Sequence, residues 1–164
     1  MDKELDTMLS QAFELCEDGN YPEALKLYDS IIQKYPKNIA ALIDKAVTLQ
    51  NLGKVNPSII LYDKALKIDP DNMDALVNKG SALHTLEKYD DAITCYDLAI
   101  KIDKTCAMAL AYKGLSLGEL GKLREALKHF KKALTIDHDF DLANISKKLA
   151  QDLLKDSVKK SKTQ

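Results

Sequence analysis

Apolar residues recur along the chain at spacings of three and four, broken by short polar stretches. Between residues 73 and 106, Leu76, Ala82, Leu83 and Leu86 mark one such segment, and Ala92, Ile93, Tyr96, Ala99 and Ile100 mark a second. That spacing places the apolar side chains on one helical face, whereas a half-buried strand would alternate strictly. The two-segment pattern occurs four times, over residues 5–38, 39–72, 73–106 and 107–140, a period of 34 residues without insertion or deletion. One phrase shows the register: "YDKALKIDPDN" at 62–72 returns as "YDSIIQKYPKN" at 28–38, "YDLAIKIDKTC" at 96–106 and "FKKALTIDHDF" at 130–140. The pattern predicts one helix–turn–helix unit, repeated.

The breaks inside the units carry turn chemistry: "DGNYP" at 18–22, "LGKVNP" at 52–57, "LEKYDD" at 86–91 and "LGKLRE" at 120–125. Gly19, Gly53 and Gly121 stand where a helix ends in the left-handed conformation, which glycine adopts without a steric penalty. Pro22 and Pro57 suit the first turn of the helix that follows, where a missing N–H is harmless. Between units, Pro36 and Pro70 stop one helix, and Asn38 or Asn72 can cap the next. Three columns describe the expected packing. Ala12, Ala46, Gly80 and Gly114 recur in the first helices, Ala24, Ser58, Ala92 and Ala126 in the second, and Tyr28, Tyr62, Tyr96 and Phe130 supply a large ring beside them. Small residues let two helices cross closely, and a column of them repeats one crossing geometry. A single unit cannot offset its own ordering entropy, so the units are expected to stack around a continuous core.

The small pair Gly80 and Ala92, the aromatic Tyr96, the small Ala99 and the Asp69-Pro70 dipeptide, each at family spacing, make residues 5–140 resemble the tetratricopeptide repeat (TPR) family. There are departures. The tryptophan expected near each repeat start is Met8, Leu42, Leu76 and Leu110, and a usual leucine is replaced by Lys45, Lys79 and Lys113, whose stems can lie over apolar surface while their amines reach water. The resemblance implies an all-α, right-handed superhelical solenoid forming a single domain over 1–156, with first helices lining a concave face and second helices forming the back. Leu142, Ile145, Leu149 and Leu153 share one stripe, so 141–156 reads as a C-terminal capping helix, and 157–164 as a disordered basic tail.

Composition adds exclusions. The chain of 164 residues is 46% apolar and 30% charged, which suits a folded helical protein. Its formal net charge of −1 gives no global field to select nucleic acid or anionic lipid, and Arg124 is its only arginine, so bidentate phosphate recognition has little to work with. Cys16, Cys95 and Cys106 follow no zinc-ligand spacing, and an odd count with no export signal points to a reducing, cytoplasmic setting. No stretch approaches membrane-spanning length. "GLSLGELGK" at 114–122 ends in Gly-Lys but lacks the spacing and preceding strand of a phosphate loop. Asp137, His138, Asp139 and Asp141 cluster acidic groups, yet "IDPDNMD" has the same pattern without histidine, so helix capping accounts for both. His84, His129 and His138 lie in separate segments with no HxxxH pair. These observations lead to the expectation of no enzyme, no cofactor and no bound metal.

If first helices line a concave groove, its lining is expected at Leu9, Phe13, Ile43, Val47, Gln50, Val77, Asn78, Ser81, His84, Met108, Ala111, Tyr112 and Leu115. The carboxylate clamp of TPR co-chaperones needs a lysine and an asparagine on one first helix, an asparagine on the next and a lysine–arginine pair on the third. Leu9 and Phe13, or Ile43 and Val47, stand in the first places; Asn78 alone matches, and Met108 and Tyr112 replace the cations. A carboxylate there would be buried unpaired. The stripe left over is mostly apolar, although some of its members can instead pack against neighbouring first helices. The expected partner is another protein, offering an amphipathic helix or an extended apolar peptide. The alternative is homo-oligomer assembly through the groove or the ends of the array.

Overall fold

The computed structural model describes the backbone of residues 3–162 and the side chains of residues 3–155. Among the described residues all regular structure is helical. First and second helices alternate: α1 (Lys3–Glu17) and α2 (Tyr21–Lys34), α3 (Ile39–Asn51) and α4 (Val55–Ile68), α5 (Met73–Thr85) and α6 (Tyr89–Ile102), α7 (Ala107–Glu119) and α8 (Leu123–Ile136). A longer helix, α9 (Asp141–Lys162), follows them. Packing divides the chain into two compact units, residues 1–82 and 83–164, with the division falling inside α5.

In unit 1 the core gathers Ala12, Ala24, Tyr28, Ile31 and Ala41, each almost fully buried. In unit 2 it gathers Leu110, Ala111, Leu117, Ala126, Phe130 and Ala133 together with Ala143 and Ala150 of α9. The small-on-ring contact has a measurable closeness at Gly114: a Cβ there would lie 2.6 Å from Phe130 Cε1. Nothing larger than hydrogen fits between the α7 backbone and that ring, so the glycine is a steric requirement of the α7–α8 crossing.

The turns follow from the same columns. Gly19, Gly53 and Gly121 have φ of 73°, 72° and 72°. The left-handed residue folds the chain back onto the helix end, and at α3 Lys54 N donates to Leu49 O at 2.8 Å and Gly53 N to Gln50 O at 2.9 Å. Glu87 holds this position in the third repeat, with φ of 59° and equivalent bonds, Lys88 N to Leu83 O at 3.0 Å and Glu87 N to His84 O at 2.9 Å. The fold therefore imposes on a side-chain-bearing residue a conformation that glycine would take freely. Between repeats, Asn38 Oδ1 accepts from Ala41 N at 2.7 Å and Asn72 Oδ1 from Ala75 N at 3.0 Å, as caps.

The lysine column is tied down. Lys45 pairs with Asp29, Lys79 with Asp63 at 2.6 Å and Lys113 with Asp97 at 2.5 Å, each reaching sixteen residues back to the preceding second helix. At the next junction the same two positions hold Lys131 and Lys147, so the ladder's charge pattern stops at α9.

Helix α9 departs from expectation in two ways. It continues past 156 to Lys162 where a disordered tail is expected, residues 163 and 164 lying outside the described residues. Its docked side is also not the leucine stripe: Ala143 and Ala150 are buried, while Ile145, Leu149 and Leu153 are 69%, 60% and 47% exposed. Alanines let α9 approach the core closely, and the large residues, about a third of a turn away, are thereby turned outward.

Replacing Glu87 by glycine removes the left-handed penalty and is expected to raise stability by about 1 kcal/mol, since an L-residue pays roughly 1–2 kcal/mol there. Urea unfolding of the two proteins measures it; a lower midpoint for E87G would contradict the assignment.

Candidate functional site on the first-helix face

In unit 1, α1 and α3 leave a cavity of about 210 Å³ on the first-helix face. Phe13 lines it with 59% of its surface exposed, the largest apolar side chain so displayed in this unit, and the half-buried Val47 lines it too. The floor is polar: Cys16 Sγ lies 3.3 Å from Thr48 Oγ1, and Thr48 Oγ1 donates to Asp44 O at 2.8 Å. Asp44 lines the cavity with Glu17 and Asn51. Burial raises the Asp44 carboxyl above the ordinary aspartate range, and Asp74 adds to the shift. The lining described there contains carboxylates and no cation. The Tyr28 hydroxyl, beneath, is pushed well above its ordinary pKa, chiefly by burial.

Other expected lining residues of unit 1 are engaged within the protein. Gln50 Nε2 donates to Ser81 Oγ at 3.3 Å, and Gln50 Oε1 accepts from Tyr62 Oη at 3.1 Å. Leu9 is partly buried against the Tyr28 cluster, and Asn78 is half-buried.

In unit 2, Met108 is exposed, and Tyr112 is half-buried with its ring 6.0 Å from that of Tyr96. Leu115 packs partly against the Phe130 cluster. His84 Nδ1 lies 2.9 Å from Ser116 Oγ, and its ring meets Tyr89 edge-on at 5.1 Å. Burial lowers the His84 pKa, with Glu119 pulling the other way.

Three expected residues do not line an open surface. Ile43, Val77 and Ala111 are only 8%, 6% and 0% exposed. They share one position of the repeat, and its direction is explicit at Ala111, which lies in the same buried cluster as Ala143 and Ala150 of α9. At Ala111 this position therefore faces the following helix, α9, and not an open surface. Periodicity identifies the helical face, but it does not separate junction from open surface. Conversely, Asp44 was missed although it shares a repeat position with Asn78 and Tyr112, both expected in the lining. A carboxylate inside the apolar run "IAALIDKAVTLQ" is the signal that points to it.

Among the described residues no group of three or more His, Cys, Asp or Glu side chains could hold a metal ion. The acidic turn at 137–141 has a structural occupation: Asp137 Oδ1 accepts from Asp139 N at 3.2 Å, as Asp103 Oδ1 does from Thr105 N at 2.8 Å. Among the described residues no helix is long and apolar enough to cross a membrane.

The family model for the N-terminal TPR repeats region of Psidin matches residues 7–107, and the tetratricopeptide repeat model matches residues 107–140. The chain belongs to the tetratricopeptide repeat family. No curated protein sequence matches this TPR chain. Solved structures share its fold. A MamA crystal structure is 23% identical, aligns over 99% of this chain and 90% of its own, and gives a TM-score of 0.81. PilF of Pseudomonas aeruginosa is 19% identical over 96% of this chain and 72% of its own, with a TM-score of 0.86. The first TPR of Spaghetti (RPAP3), solved with the HSP90 peptide SRMEEVD, is 25% identical over 71% of this chain and 92% of its own, with a TM-score of 0.68.

The raised Asp44 pKa predicts a pH-dependent stability difference. The ionised carboxylate destabilises the fold above its raised pKa, and the penalty is relieved as pH falls through that value towards the ordinary 3.8. D44N is therefore expected to be more stable than the parent at neutral pH, with the gap closing on acidification. Thermal unfolding between pH 7 and pH 3.5 measures this; a gap independent of pH would contradict it.

Proposed function

We propose that the chain is a non-catalytic protein-interaction scaffold whose unit 1 holds a segment of another protein on its first-helix face. One apolar side chain of that segment sits between Phe13 and Val47, and a basic side chain beside it faces Asp44 and Glu17. The observation that carries this reading is Phe13, a phenylalanine displayed at 59% exposure over a cavity with carboxylates along its edge. Large aromatic side chains at the rim of a pocket are the usual anchors of protein interfaces. An amphipathic helix or extended peptide can present an apolar and a basic residue together. Met108, Tyr112 and Leu115 offer a smaller apolar patch in unit 2 for the same purpose.

Carboxylate-clamp recognition fits this surface poorly. RPAP3 was solved with the acidic peptide SRMEEVD. In this chain an acidic tail would meet Asp44 and Glu17 at the cavity, with apolar Leu9 and Phe13 in the places where the clamp needs a lysine and an asparagine. The free thiols of Cys16, Cys95 and Cys106 agree with a reducing, cytoplasmic setting.

Fluorescence anisotropy with labelled helical peptides tests the reading: one set carries leucines four apart flanked by lysines, and a matched set has glutamates in place of the lysines. The lysine set is expected to bind more tightly, with F13A weakening it about tenfold, the scale of a buried aromatic anchor. Equal binding of both sets, no binding by either, or an F13A variant that binds as the parent does would overturn it.

A further inference from the structure

The face of α9 that carries Ile145, Leu149 and Leu153 is an apolar stripe with nothing among the described residues lying over it. The three residues are 69%, 60% and 47% exposed and recur every four positions, so they form one row about 12 Å long, at 1.5 Å rise per residue. Their repeat positions explain why the exposure is unusual. Ile145 corresponds to Ile43, Val77 and Ala111, which are all buried. Ala111 is covered by α9 itself. Helix α9 thus presents large apolar side chains at a position that elsewhere in this chain is covered.

The charges beside the stripe show what fits it. Asp141, Lys148, Asp152 and Lys155 lie along one flank, and Lys155 Nζ reaches Asp152 Oδ1 of its own helix at 3.4 Å. The other flank holds Leu142 and Ser146, both half-buried and uncharged. We infer that this face of α9 is a self-complementary interface that pairs with α9 of a second copy, antiparallel and centred on Leu149. In that arrangement Ile145 packs against Leu153 of the second copy and Leu149 meets its own counterpart. A two-fold axis across antiparallel helices brings like flanks together. Lys148 then comes within two residues of level with Asp152 of the second copy, and Lys155 with its Asp141, four opposite-charge approaches across the pair against one like-charge approach, Lys148 to its own counterpart at the same offset. A parallel pair would instead set the charged flank against Leu142 and Ser146, where no charge answers it.

The pairing is modest in size: three large side chains per helix make an apolar patch of roughly 300 Å², comparable with the largest patch on ordinary monomers. It is accordingly expected as a concentration-dependent dimer, one that would bring two peptide-holding faces into a single assembly and raise avidity for a divalent partner. This inference stands apart from the peptide-binding reading, because it uses α9 and leaves Phe13 and Val47 free.

Sedimentation equilibrium of the full chain over a wide concentration range tests it. The parent is expected to rise from its monomer mass of 18.3 kDa towards twice that value. L149E is expected to stay monomeric over the same range with an unchanged melting temperature, since the side chain it replaces is exposed. F13A is expected to dimerise as the parent does. K148E and D152K are each expected to weaken the dimer, and the two together to restore it, because the exchange reverses both charges across an antiparallel pair. A parent that remains monomeric throughout, or an L149E variant that dimerises normally, would overturn the inference. Dimerisation lost in L149E without recovery in the charge exchange would overturn the antiparallel register.

Discussion

A small residue on a first helix, set against a ring on the second, is the contact on which the rest of this protein depends. At Gly114 it is close enough that a methyl group would lie 2.6 Å from Phe130. Ala12 and Tyr28 belong to one buried cluster, and Ala46 and Tyr62, both fully buried, occupy the same repeat positions. The contact fixes more than separation. Once the backbone of a first helix is seated on the ring, its rotation about its own axis is set, and so is the direction of every other side chain it carries. The aspartate–lysine ladder is secondary by comparison. Its aspartates are about half-exposed, and such pairs contribute at most about 1 kcal/mol each.

Fixing that rotation sorts the apolar residues of a first helix into two groups. One position, held by Ile43, Val77 and Ala111, is buried, and at Ala111 it joins the core shared with α9. The position four residues on, held by Phe13, Val47 and Leu115, is less buried and remains accessible to differing degrees. The polar groups between are occupied in part by one another, as Gln50 is with Ser81 and Tyr62, and His84 with Ser116. What remains accessible on this face of unit 1 is an aromatic ring, a valine and a partly desolvated carboxylate. Helix α9 obeys the same geometry with a different outcome. It docks through alanines, so its large residues are left on the outside.

Much of this was legible in the residues. The small and aromatic columns, the glycines at 19, 53 and 121, and the asparagine caps each have a local physical reason, and each repeats, so agreement among copies marked the helices and turns. Glu87 was less legible: its left-handed conformation follows from its column, not from its own preference. The site was only half legible. Helical spacing shows that Ile43 and Val47 share a face, but depth within that face depends on where a neighbouring helix lies, and a sequence does not display that. An apolar pattern does not display Asp44, a partly buried carboxylate in the cavity that Phe13 and Val47 also line. In α9 the leucine stripe was visible, whereas the choice of docking side was made by Ala143 and Ala150, which are small enough to look unimportant.

The most direct measurement is a double-mutant cycle on the α7–α8 contact, using urea unfolding of the parent, G114A, F130L and the double variant. G114A forces a methyl into the ring and is expected to destabilise by about 1–3 kcal/mol. F130L removes part of the ring and is expected to have its own cost of similar size. If the small-on-ring contact sets the crossing, the smaller leucine makes room for the methyl, and the double variant loses clearly less than the sum of the two, by about 1 kcal/mol or more. If the two losses simply add, within about 0.5 kcal/mol, the glycine is not seated on the ring in the way described, and the placement of every first-helix residue that follows from it fails.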